Sequence, residues 1–196
     1  MAKIVIIYKS STGFTEKYAR LLAERLGGTA ADFKKAGRIA LSDFDTVIFG
    51  TRAHAGSIDG FTKFRKIFRQ KTGTPFLLSK TAQHASGIHA PSCILFVTGA
   101  APETEQDMIQ KLWKDNLTEV ELDCLPHFYM PAGLCYEKMC LIDRIMMKGL
   151  SAMIKRKKDK TDREIELERR ISASFELFSE EYVEPLLNFV QNQYGA

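Results

Sequence analysis

No run of about 18 apolar residues occurs in this sequence, so no segment is long enough to cross a bilayer as a helix. The opening "MAKIVIIYKS" has a short apolar stretch and no small-residue cleavage site, and is expected not to be a signal peptide. Cysteine is scarce. Cys93, Cys124, Cys135 and Cys140 form no C-x-x-C pair and sit in otherwise apolar segments. They read as reduced, partly buried thiols of a cytosolic protein, with neither a disulfide nor a zinc site. His84, His89 and His127 lack metal-ligand spacing to cysteines or carboxylates and read as ordinary residues. No charge dominates. Lys and Arg number 28 against 24 Asp and Glu, for a net charge of +4. The excess is local, at Lys155, Arg156, Lys157, Lys158 and Lys160, whereas nucleic-acid binding calls for a broader basic face.

Apolar residues make up 45% of the 196, enough to bury a core and to exclude global disorder. The length suits a single domain over 1–196. Apolar runs at 3–8, 46–51 and 92–100 read as buried strands. A shorter strand is expected near 29–33 and a last one at 120–130. Helical periodicity covers 13–26, 60–71 and 103–116, and Gly27-Gly28 ends the first of these. A C-terminal helix begins after Ser179, with Glu180 and Glu181 in its first turn. Strands alternating with helices imply an α/β fold, a doubly wound five-stranded parallel sheet with helices on both faces. Ligands of such sheets bind at the carboxyl ends of the strands, so loops 9–15, 51–60 and 98–105 are expected to converge. Residues 72–91 read as a long mobile connection. Residues 131–172 read as a helical, basic insertion before the last helix, with no second core.

The first loop carries most of the functional signal. Ser10-Ser11-Thr12-Gly13-Phe14-Thr15 joins a strand to a helix whose unpaired N–H groups favour an anion. The loop has no lysine, as a G-x-x-x-x-G-K-[ST] loop requires, no G-x-G-x-x-G, and no cysteine nucleophile. A phosphate held by hydroxyls and amides alone is a handle on a ligand, not a reaction centre. A Ser/Thr-rich helix cap is the plain alternative.

This loop resembles the FMN phosphate loop of flavodoxins, [ST]-x-T-G-x-T. "FGTRAHAGSIDGFTKF" (49–64) and "FVTGAAPET" (96–104) resemble the loops on either side of the flavin ring. The resemblance implies FMN as cofactor and a flavodoxin-like fold. Ser10, Ser11, Thr12, Gly13, Phe14 and Thr15 would hold the phosphate. Thr51, Ala53, Ala55 and Gly56 would pass the ring with their backbones, and Thr98, Gly99 and Ala100 would line its other side. Of Arg52 and His54, one would lie near the pyrimidine end of the flavin or the substrate, or else they are solvated loop charges. Neither ring loop carries a stacking Trp or Tyr, which leaves a ring face open for hydride or quinone chemistry.

The segment 128–162 resembles the insertion of the menaquinone-dependent protoporphyrinogen oxidase type. That likeness implies an FMN-dependent oxidoreductase that passes electrons from protoporphyrinogen or a similar hydrophobic donor to a quinone. No residue is assigned as acid or base. An electron carrier docking to protein partners is the rival, and a scaffold that has lost FMN the third reading. The expected helix at 137–156 bears Met139, Leu141, Ile142, Ile145, Met146, Leu150, Met153 and Ile154 and ends in the basic run. It fits an interfacial helix on a membrane, a partner surface, or a helix packed on the protein's own core.

Overall fold

The computed structural model describes residues 2–73 and 91–194. Five parallel strands form the sheet: β1 (Ile4–Tyr8), β2 (Thr29–Asp32), β3 (Thr46–His54), β5 (Ser92–Gly99) and β6 (His127–Pro131). Their spatial order is β2-β1-β3-β5-β6, and the two-residue β4 (Ser57–Ile58) folds back antiparallel on the end of β3. This is the flavodoxin-like doubly wound order, and it reverses between β1 and β3.

The period of two along β1 assigns residues to faces. Val5 and Ile7 join one core with Phe49, Leu95 and Val97, beneath α2 (Phe61–Thr72) and α3 (Gln106–Asn116). Ile4, Ile6 and Tyr8 join the other with Ile48, Ile94 and Phe96, beneath α1 (Phe14–Leu26) and the C-terminal α7 (Glu184–Tyr194). Phe49 and Phe64 stack at 4.2 Å between ring centroids, an arrangement that adds to the plain burial of both rings. Gly27 closes α1 in the left-handed region, with its amide donating to Ala23 and Glu24 carbonyls, as the Gly-Gly pair implies.

Several expectations need correction. Residues 120–130 are not one strand. Thr118 caps a short helix, α4 (Glu119–Cys124), in a capping box with Glu121, and β6 starts only at His127. The alternation of Val120, Leu122 and Cys124 mimics a strand, yet Val120 is exposed. β3 runs on to His54, so the expected second loop is mainly a hairpin. Of the cysteines, Cys93 is buried but Cys124 and Cys140 are exposed; all four are free. His127 bonds through Nδ1 to the Leu125 carbonyl and packs on Trp113, as an ordinary residue would. Asp32 caps the following 3-10 turn by accepting from the Lys34 amide. The expected connection at 72–91, with His84 and His89, lies almost wholly outside the described residues.

The insertion is helical, as read. After β7 (Gly133–Leu134) come α5 (Leu141–Arg156) and α6 (Asp162–Ile171), then β8 (Phe175–Glu176), which pairs with β7. It also has a small core of its own, against expectation. Leu134, Ile154 and Ile171 are buried there, with Met147, Leu150, Leu167 and Phe175 around them and Ala100 of the third loop against them. α5 thus buries one side only. Its other side leaves Leu141, Ile142, Ile145 and Met153 exposed.

Candidate functional site

The reversal of strand order brings the ends of β1 and β3 side by side, with β5 next to β3. In the first loop, Gly13 has φ 99°, a conformation that a residue with a Cβ rarely adopts. It sits at the N-cap of α1, where no side chain caps the helix. The Gly13 amide donates to Ser10 Oγ (3.1 Å), and the first helical bond runs from Lys17 N to Gly13 O. The first-turn amides of α1 are therefore not capped from within, which suits an anion. Ser11 is exposed, and Ser10, Thr12 and Phe14 are half-buried. Thr15 is buried, and its hydroxyl shares a 2.8 Å hydrogen bond with that of Thr98. It ties the first loop to the third. One cation reaches this loop from outside it: a Cβ added to Gly13 would lie 4.0 Å from Lys138 Nζ.

The second loop is the β3–β4 hairpin. Ala55 (φ 48°) and Gly56 (φ 79°) are its two turn residues, both left-handed as a type I′ turn requires. Asn116 of α3 holds this turn by donating to Gly56 O (2.8 Å) and accepting from Ile58 N (3.0 Å). The Gly56 carbonyl is thereby engaged. Thr51 is buried and donates to Asp59 O. Ala53 is half-buried in the wall.

Arg52 and His54 are not solvated loop charges. Arg52 donates to Asp143 Oδ2 (2.8 Å) and to Asp59 Oδ2 (3.3 Å), and His54 Nε2 bonds Asp143 Oδ1 (2.8 Å). Lys9 completes the chain by donating to Asp59 Oδ1 (2.5 Å). Asp143 stands in the first turn of α5 with its side chain 9% exposed. Burial alone would raise its pKa, but the hydrogen bonds from Arg52 and His54 hold it below the ordinary carboxylate value. Asp59 shows the same balance, burial opposed by Lys9 and Arg52, and is also lowered.

In the third loop, Thr98 donates to Thr51 O (3.3 Å), and Gly99 and Ala100 follow it, both half-buried. Tyr129 of β6 lies under this loop. Its hydroxyl donates to Ala101 O (3.0 Å) and accepts from Ala101 N (3.1 Å), and burial raises its pKa. A Cβ on Gly99 would meet the Tyr129 hydroxyl at 2.3 Å. The phenol is fixed by both bonds and cannot step aside freely. Gly99→Ala is expected to cost about 1–3 kcal/mol in chemical denaturation. Adding Tyr129→Phe is expected to recover part of that loss, so the double variant falls short of the sum of the singles.

A cavity of about 680 Å³ opens between the second and third loops and the insertion. Arg52, His54, Gly99 and Ala100 line it from the sheet side, and Met139, Met147 and Leu150 from the insertion. The insertion thus walls the space beside the second and third loops. Tyr129, Lys138 and Asp143 were not among the expected site residues. Asp143 carried one weak signal, the lone acid of its helix, in the first turn; its partners lie 91 and 89 residues away.

Among solved structures, the chain is similar to a WrbA-like flavodoxin from Agrobacterium tumefaciens, with 19% identity over 74% of this chain and 88% of that one, TM-score 0.39. It is similar to a flavoprotein in complex with FMN from Lactobacillus acidophilus NCFM, with 13% identity over 67% and 93%, TM-score 0.37. A third is oxidised flavodoxin 2 from Bacillus cereus, 18% identical over 66% and 84%, TM-score 0.37. No curated protein matches the chain. The sheet order and the helices on both of its faces agree with the profile of the Flavodoxin domain, which matches residues 5–162, and the chain belongs to the flavodoxin-domain family.

Proposed function

We propose that this protein binds FMN between the three loops and the insertion, and works as an oxidoreductase on a small hydrophobic donor with a quinone as acceptor. The observation that carries the reading is the apolar cavity that the insertion builds against the ring loops. A carrier that meets only protein partners needs no apolar wall of Met139, Met147 and Leu150 facing its ring loops. Family membership and the uncapped Gly13 turn support FMN as the cofactor.

When bound, FMN supplies the electron-transfer chemistry; the protein supplies position and electrostatics. The first loop holds the phosphate by the hydroxyls of Ser10, Ser11 and Thr12 and the first amides of α1. Lys138 adds a charge to that grip. The Arg52 guanidinium borders the ring space, where it favours a ligand that gains negative charge. His54, fixed through Nε2, keeps Nδ1 without a partner among the described residues, where it can make one hydrogen bond to a ligand. Met139, Met147 and Leu150 exclude water and offer an adaptable apolar wall to the donor. A protoporphyrinogen-like tetrapyrrole or a similarly apolar reduced compound is the donor class that this wall and the family resemblance favour.

Stopped flow tests this. The FMN-loaded protein, reduced and mixed with a soluble quinone, is expected to recover its visible absorbance rapidly in one two-electron phase. Slow recovery with quinone alongside fast one-electron exchange with a protein acceptor would select the carrier reading.

A further inference from the structure

We propose that the outer side of α5 docks on an anionic phospholipid bilayer, and that a cationic groove along its flank receives a lipid phosphate. At 100° per residue, α5 presents three sectors. Asp143, Met147, Leu150 and Ile154 face the protein. Leu141, Ile142, Ile145 and Met153 form an outer crest, exposed by 70%, 70%, 61% and 65%. Arg144, Lys148 and Lys155 fall on a third stripe, between the crest and the protein. A monomeric domain rarely leaves so many large apolar side chains together on one helix.

The third stripe lines a groove of about 500 Å³ with Tyr136, Ser151 and Ser172. Arg144 donates through one terminal nitrogen to the carbonyls of Tyr136 (2.6 Å) and Glu137 (3.4 Å). Its Nε is buried and has no hydrogen-bond partner among the described residues. A guanidinium lining a groove with two ammonium groups and hydroxyls is suited to a phosphate. One acid, Glu137, also lines the groove, and its carboxylate is engaged by Ser174 Oγ at 2.8 Å. Lys157 and Lys160 are paired with Glu164 and Glu168. Lys148, Lys155, Arg156 and Lys158 make no ion pair among the described residues.

Charge decides the occupant. A second copy meeting this crest about a two-fold axis would bring two cationic grooves together. An anionic bilayer satisfies both features at once, with the crest in the acyl boundary and the cations at headgroup level. Met146 lies between the crest and the cavity and lines the latter while 44% exposed. An apolar substrate would therefore pass from lipid to cavity along α5. That last point rests on the redox reading; the docking itself does not.

The test is cosedimentation of the protein, without added flavin, with vesicles of phosphatidylcholine alone or of equal parts phosphatidylcholine and phosphatidylglycerol. Binding is expected to the mixed vesicles only, and to be lost near 1 M salt, where the Debye length is about 3 Å. Lys148→Gln with Lys155→Gln is expected to weaken it about thirtyfold. Ile142→Ser with Ile145→Ser and Met153→Ser is expected to weaken it at least as much. All five positions are exposed, so both variants should keep the wild-type far-ultraviolet spectrum. Wild-type protein that ignores the mixed vesicles, or variants that bind them as wild type does, would overturn the proposal. So would saturation of the groove by inorganic phosphate without vesicle binding, which makes it a free-anion site. Concentration-dependent dimerisation abolished by the serine variant, again without vesicle binding, would assign the crest to a second copy and overturn it too.

Discussion

Asp143→Ala is expected to release the insertion from the sheet. Asp143 is the bond acceptor that joins α5 to Arg52 and His54 of β3, and its side chain is 9% exposed. Removing one member of such a cluster leaves the others facing a poorly solvated gap. Arg52 keeps a weaker partner in Asp59 at 3.3 Å, which limits the damage. We expect a loss of about 2–3 kcal/mol, felt mainly as local opening. Amide exchange in α5 and α6 should accelerate while β1, β3 and β5 stay protected. The pH dependence has a definite sign. The folded pKa of Asp143 lies below its ordinary value near 3.8, so its contribution is fully present above that value. It is lost as the pH falls through the lowered folded value. The wild-type insertion should hold through neutral and mildly acidic pH and loosen only in stronger acid, and Asp143→Asn should remove that acid step.

The second large effect is expected at the first loop. Thr12→Asp places a carboxylate where the ligand phosphate would sit, beside a helix terminus whose partial charge cannot neutralise both. FMN affinity should fall at least tenfold, about 1.4 kcal/mol, while riboflavin, which lacks the phosphate, should change far less. Lys138→Gln should act in the same direction by a smaller factor, and also spare riboflavin. Together the two variants separate the loop's own grip from the charge that the insertion adds.

Much of this was legible in the chain. Ile4 to Tyr8 and Cys93 to Val97 are uninterrupted apolar runs, and a strand covered on both faces needs just that. Gly27 marks the end of α1 by its freedom at positive φ. The three loops could be placed because strand order alone brings them together. Local pattern failed where two periods compete: Val120, Leu122 and Cys124 alternate like a strand, and only the Thr118–Glu121 capping box favours helix. It also failed for every contact that depends on how the insertion folds back. Asp143 meets Arg52 and His54, and Lys138 comes near Gly13, across gaps that no spacing rule spans. Tyr129 was read as a strand residue, which it is, but its hydroxyl under Ala101 follows from the register of β6 on β5.

The central claim is that the first loop and the insertion form one FMN site. The measurement that meets it most directly is titration of the purified protein with FMN and with riboflavin, followed by visible absorbance and flavin fluorescence. The account predicts saturable binding of one FMN per chain, with riboflavin weaker by at least tenfold and the difference erased by Thr12→Asp. Equal affinity for the two flavins, or no perturbation of the FMN spectrum at saturating concentrations, would contradict it.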